Sequence, residues 1–149
     1  MDESQPLMST NVGAQYIREK GQLLLIGTCM MERYPEIVEE FAQRDEGYAV
    51  LHICLEESHV NQAGFKIASF VRYSQLKRIV VLSVDGSPHC VQLHFITEDV
   101  KRHFIPELEV EHYVVEHGKV HEISPKAVKR GRHLSKIQKM LDSKGNHFG

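Results

Sequence analysis

The chain has 149 residues, with 18 basic and 20 acidic side chains, a formal net charge of -2 at pH 7, and 42% hydrophobic against 26% charged residues. That length suits one domain burying about two-thirds of the surface its unfolded chain would expose, and the composition excludes a disordered or fibrous chain. So small a net charge sets up no global field for nucleic acid or an anionic membrane, although the ten histidines would turn the chain strongly positive in mild acid.

The start, Met1, Asp2, Glu3 and Ser4, is acidic and polar where a secretory leader would be basic and then apolar, and residues 1–8 read as a flexible tail. Ser9 or Thr10 is expected to cap a short helix carrying Val12, Tyr16 and Ile17 on one face until Gly21 ends it. Residues 22–27 form a short apolar run, as a strand covered on both faces must, and Gly27, Thr28 and Cys29 are expected to turn the chain outward. From Pro35 to about Arg44, Ile37, Val38 and Phe41 recur at helical spacing, with the proline suited to the first turn. Gly47 punctuates that helix before a second buried-type strand over 48–54.

A polar turn at Glu56, Glu57 and Ser58 then caps a helix over 59–75, whose stripe includes Val60, Gly64, Ile67 and Val71. Residues 78–84 are rich in branched apolar side chains and predict a third strand. Asp85 and Gly86 form a turn that opens a third helix, with Ser87 as N-cap, Pro88 at the first helical position, and Leu93, Ile96, Val100 and Phe104 facing inward. Residues 110–115 and 120–123 flank a tight turn and predict a hairpin of antiparallel strands at one sheet edge. Ser124 and Pro125 start a basic helix with Val128, Leu134, Ile137 and Leu141 that runs to about residue 142, and residues 143–149 read as a second flexible tail.

Three strand-then-helix units predict a single α/β domain over 1–149. The expected architecture is a Rossmann-like three-layer fold with a short parallel sheet, core strand order 2-1-3, an edge hairpin and a C-terminal helix. Ligands of such sheets gather beyond the carboxyl ends of the strands, near the switch point. No apolar run approaches the roughly 20 residues of a membrane-spanning helix. An odd three cysteines without a dense framework point to a reducing, cytoplasmic setting with free thiols or metal ligands.

Cys29, Cys54 and Cys90 each fall at or just past the end of one of the three strands, so a parallel sheet would carry them to one edge. His59 follows Cys54 closely and His89 adjoins Cys90, which makes these five residues candidate ligands for zinc or an iron-sulfur cluster. Cys90 also falls in the first turn of a helix, where unpaired N–H groups and the dipole favour negative charge. The same turn, through Gly86 and Ser87, suits an anionic cofactor group. Against this, free cysteines commonly pack separately as small hydrophobes, and no C-x-x-C pair decides the matter.

Other polar residues have plainer readings. His94 suits a hydrogen-bonded structural role, and His112, His117 and His121 suit edge polarity, with 112 and 121 able to approach across two strands. Asp85 suits a side-chain bond to its own turn. Lys126, Lys129, Arg130, Arg132, Lys136 and Lys139 suggest an acidic partner or RNA, but without interleaved aromatics a solvated face is favoured and nucleic acid is not expected.

The stretch from residue 84 to 94, VDGSPHCVQLH, with Cys29 and Cys54 in support, resembles small α/β proteins of anaerobic prokaryotes labelled as ferredoxin-like or four-iron-cluster proteins. The resemblance implies a redox or metal-handling role with Cys29, Cys54 and Cys90 as ligands. Ordinary ferredoxins use closely spaced cysteine runs, so their fold and carrier function do not transfer. The leading expectation is metal or iron-sulfur binding in a redox, electron-transfer or sensing role, with a redox partner protein and scope for a homo-oligomer. Two alternatives stay open: an interaction module using the basic C-terminal helix or the hairpin, and a small-molecule enzyme using Cys90. No Walker A motif or full glycine-rich dinucleotide fingerprint is present.

Overall fold

The computed structural model describes residues 4–144. Its strands are β1 (Gln5–Pro6), β2 (Gln22–Gly27), β3 (Ala49–Ile53), β4 (Arg78–Val84), β5 (Glu109–Glu116) and β6 (Lys119–Ile123). Its helices are α1 (Gln15–Lys20), α2 (Thr28–Arg33), α3 (Pro35–Ala42), α4 (Val60–Ser74), α5 (Pro88–Phe104), α6 (Pro125–Arg130) and α7 (Leu134–Ser143). The strands form one sheet in the order β1-β3-β2-β4-β5-β6, and every neighbouring pair is parallel except β5 with β6. The core order β3-β2-β4 is the expected 2-1-3 arrangement.

Two corrections concern the edges. Residues 1–8 do not read as a tail where the structure describes them, because β1 pairs with β3, Leu7 is fully buried, and its N–H donates to His52 O at 2.8 Å. A two-residue strand carries no periodicity, so the apolar pair Leu7 and Met8 in an otherwise polar stretch is the available signal. At the other edge β5 runs parallel to β4, not antiparallel, because the 17-residue α5 returns the chain before β5 begins. Only the turn at His117 and Gly118, with φ of 50° and 79°, makes the expected antiparallel hairpin to β6.

The sheet separates two apolar layers. On one side Ile17, Ile67, Phe70, Leu93 and Val100 from α1, α4 and α5 pack on Leu23, Leu25, Ile79 and Val81. On the other, Met30, Val38 and Phe41 from α2 and α3 pack on Leu24, Ile26, Val80 and Leu82. The strand residues alternate between the layers as the pleat dictates, so all three central strands are apolar on both faces.

The helices depart from expectation mainly at their ends. The first helix begins at Gln15 and not after Ser9 or Thr10, since the Thr10 hydroxyl bonds back to Pro6 O at 2.5 Å, while Gly21 closes it with a φ of 69°. The outward turn expected after β2 is instead α2, whose Met30 is fully buried. Phe104 is 64% exposed, which corrects its assignment to the inner face of α5. The basic helix is two helices, because the chain bends at Gly131, Arg132 and His133 between α6 and α7. Ser143 ends α7, and residues 145–149 of the expected second tail lie outside the described residues, as do 1–3 of the first.

Close contact between α4 and α5 depends on Gly64, where an added Cβ would meet Ile96 Cγ1 at 2.7 Å. Gly64→Val should therefore force the two helices apart and cost about 1–3 kcal/mol. A urea midpoint equal to that of the parent chain would contradict this packing account.

Candidate functional site

The carboxyl ends of β3, β2 and β4 lie side by side, with Gly27 beside Ile53 and Ile26 beside Leu82. Beyond them is a cleft of about 40 Å³ whose lining includes Gly27, Cys29, Cys54, Ser87, His89 and Cys90. The three cysteines, far apart in sequence, therefore share one concavity. Cys29 is exposed at its rim, Cys54 is half-buried, and Cys90 is buried.

Each thiol is positioned by local backbone structure. Cys29 is the second residue of α2, and Cys54 begins a turn in which its carbonyl accepts the Glu57 and Ser58 N–H groups at 3.1 and 3.0 Å. Cys90 lies in the first turn of α5, where Ser87 Oγ accepts its N–H at 3.3 Å and Pro88 fills the first helical position. Gly27 leaves room for the sulfur, since a Cβ there would stand 3.3 Å from Cys90 Sγ and 4.0 Å from Ser83 Cβ.

The remaining candidates divide. His89 lines the cleft, whereas His59 does not: it is the N-cap of α4, and its Nδ1 accepts the Asn61 N–H at 3.1 Å. Ser87 lines the cleft with its hydroxyl engaged in the α5 cap, and Gly86, with a φ of 90°, shapes the turn before it. The Asp85 backbone N–H bonds Val115 O at 2.9 Å, and its carboxylate forms no hydrogen bond with a described residue, unlike the self-bonded turn expected. Among the described residues no group of three or more His, Cys, Asp or Glu side chains is gathered as a ready metal site.

Electrostatics link the thiols. Burial pushes the Cys29 thiol up from its ordinary value, and the charges of Cys90, Cys54 and Glu32 push it further in the same direction. Crowding three sulfurs at one edge thus disfavours a bare thiolate at Cys29.

A second polar assembly lies beneath α5 and was not read from the sequence. Ser83 Oγ is 2.8 Å from His94 Nε2, His94 Nδ1 is 2.9 Å from His112 Nδ1, and His112 Nε2 is 2.6 Å from Glu98 Oε2. All four residues are buried. Taking the Glu98 carboxylate as acceptor fixes the rest by elimination. His112 donates from Nε2 and accepts at Nδ1, His94 donates from Nδ1 and accepts at Nε2, and the Ser83 hydroxyl donates to His94. Every ring nitrogen and the Ser83 hydroxyl then have a partner, which is what allows them in an apolar layer.

The structural role expected of His94 is what it has. Edge polarity does not account for His112, which is fully buried, and β5–β6 register sets it against Ile123 while His121 faces Val114. The available signal was the pairing of His94 and Glu98 four apart on an inward helical face, with His112 at an inward position between Val110 and Val114. At its upper end Ser83 adjoins Gly27, so the buried chain ends behind the wall of the cleft.

A family model described as a Rossmann-like domain matches residues 14–147, and the chain belongs to that family. The description names a fold and no cofactor, and carries no ferredoxin or four-iron label. No curated protein and no solved structure gives a significant match. Among the described residues no helix is long and apolar enough to cross a membrane.

Two measurements test these environments. Burial, with the charge of His112, lowers the His94 pKa from 6.5 to about 3. A depressed value means that its stabilising contribution is complete above the unfolded value and is lost as pH falls from 6.5 towards 3. The loss should be read as a falling urea midpoint across that window; an unchanged midpoint would contradict the buried neutral assignment. For Cys29, the pH profile of iodoacetamide alkylation should have its midpoint above 9.0 and move down in Cys90→Ser. A midpoint at the ordinary value in both proteins would show that the thiols do not interact.

Proposed function

We propose that the carboxyl-edge cleft is a thiolate site for a thiophilic metal, held by Cys29, Cys54 and Cys90 with His89 as the fourth ligand, and that it serves a redox-sensing role. The observation that carries the reading is the sharing of one cleft by three thiols from the ends of three adjacent parallel strands. Three thiolates and one imidazole form a familiar tetrahedral set for zinc. His89 is preferred to His59 because it faces the cleft, while His59 Nδ1 is engaged at the α4 N-terminus.

Size favours one ion over a cluster. A volume of about 40 Å³ holds only a few water-sized spheres at roughly 10–15 Å³ each, enough for one ion, whereas a four-iron cluster would require the strand-end loops to part. Closing the ligand shell asks for side-chain rotation, for which Cys29 and His89 are well placed because both are exposed. Cys90 and Gly27 supply the fixed wall against which the mobile ligands close.

Each thiol must give up its proton on binding, so the chain takes up metal more tightly as pH rises. A bound ion supplies positive charge that offsets the crowding of three thiolates. The sulfurs tie the site to redox state: attack of a thiolate on hydrogen peroxide forms a sulfenic acid and releases hydroxide, and the oxidised sulfur is a poorer ligand. A partner protein that responds to the released or retained state would complete the sensing role.

The chain should be purified without oxygen and assayed for zinc, iron and acid-labile sulfide, with Cys29→Ser, Cys54→Ser and Cys90→Ser alongside. Stoichiometric zinc that is lost in each variant is the expected result. Iron with matching sulfide, again lost in each variant, would replace the single ion by a cluster at the same ligands. Metal-free protein that fails to take up zinc would overturn the site.

A further inference from the structure

We propose that the groove between α6 and α7 binds an acidic, amphipathic helix of a partner protein. Charge in this chain is strongly segregated: residues 125–149 hold seven basic side chains and one acid, a formal +6, which leaves -8 on residues 1–124. The groove has a volume of about 670 Å³, with Lys129, Arg130 and Lys136 among its walls and Ala127, Ile137 and Met140 supplying apolar surface. No acidic side chain lines it. None of those three cations forms an ion pair with a described residue, so their charge faces outward uncompensated.

α7 has no buried residue, and its apolar side chains remain accessible, with Leu134 80% and Met140 48% exposed. An amphipathic helix with its apolar side left open has not found its packing partner among the described residues. The platform beneath it is nonetheless firmly held. Val128 of α6 is 5% exposed, Arg132 pairs with Asp99 on α5 at 2.8 Å, and its guanidinium lies 5.7 Å from the centre of the Phe95 ring. One cation of the basic segment is thus used to fix the groove, and the others are displayed by it.

The combination selects the occupant. A helix carrying apolar residues at i, i+3, i+4 and i+7 would cover Ile137 and Met140, while flanking Glu and Asp would meet the lysines and Arg130. Nucleic acid would meet the charge but leave the apolar floor unused, and no Phe, Tyr or Trp lines the groove to stack on a base, His133 being its one ring. A bilayer is met by an apolar face that projects, whereas Ile137 and Met140 line a concavity.

Binding is tested by fluorescence anisotropy with a labelled synthetic helix that has leucines at those four spacings flanked by glutamates, against a scrambled peptide of identical composition. Saturable binding that favours the ordered peptide and weakens with salt is expected. Lys129→Glu with Lys136→Glu, and separately Ile137→Ser with Met140→Ser, should each weaken it about tenfold or more. Circular dichroism should match the parent, because these side chains lie outside both apolar layers. Equal binding of the scrambled peptide, indifference to charge reversal, or tighter binding of duplex RNA or phosphatidylserine vesicles would each overturn the proposal. The metal content of the cleft plays no part in this assay, so its outcome is separate from that of the thiol site.

Discussion

Parallel pairing of β2 with β3 on one side and β4 on the other is the constraint from which the rest of the molecule follows. Parallel neighbours end on a common side, and neighbouring strands are only about 4.8 Å apart, so whatever follows each strand is delivered to one short edge. Cys29, Cys54 and Cys90 are 25 and 36 residues apart in sequence, yet line one cleft for that reason. Shifting one of these strands by a residue would turn its apolar set over between the two layers, so the register that buries Leu24 and Leu25 on opposite faces also holds the thiols together.

The buried chain from Ser83 to Glu98 obeys a different rule. Two imidazoles, a hydroxyl and a carboxyl group stand inside an apolar layer, and the arrangement is tolerated because each donor meets an acceptor in one consistent direction. It joins β4, α5 and β5, the three elements of the last crossover, and so ties the parallel edge strand to the sheet core. Its polar groups give this joint a directionality that apolar packing lacks, since the wrong tautomer at His94 would set two bare nitrogens against each other and the wrong tautomer at His112 two N–H groups.

Much of the fold was legible in the sequence because the central strands are short apolar runs bounded by glycine or polar turns, and because Ser87 with Pro88 and Ser124 with Pro125 mark helix starts directly. The convergence of the three cysteines followed from the same reading, with one assumption about sheet order. What stayed hidden depended on tertiary contact. β1 is two residues held by β3, and α2 is a single short helix whose fully buried Met30 gives no repeating pattern. Nearness to Cys54 in sequence makes His59 a candidate ligand, but the helix end engages its Nδ1. His112 is legible only as hairpin surface, because alternation alone does not say which face of an edge strand is covered.

The thiol site exists only if three sulfurs of one chain can close on one ion. X-ray absorption at the zinc edge, on anaerobically purified protein loaded with one equivalent of zinc, reads this directly. Three sulfur scatterers at about 2.3 Å with one nitrogen is the predicted shell, and loss of one sulfur in Cys54→Ser would assign it to the cleft. A shell of nitrogen and oxygen alone would contradict the account, because the metal would then be bound elsewhere and the three thiols would be neighbours without a common purpose.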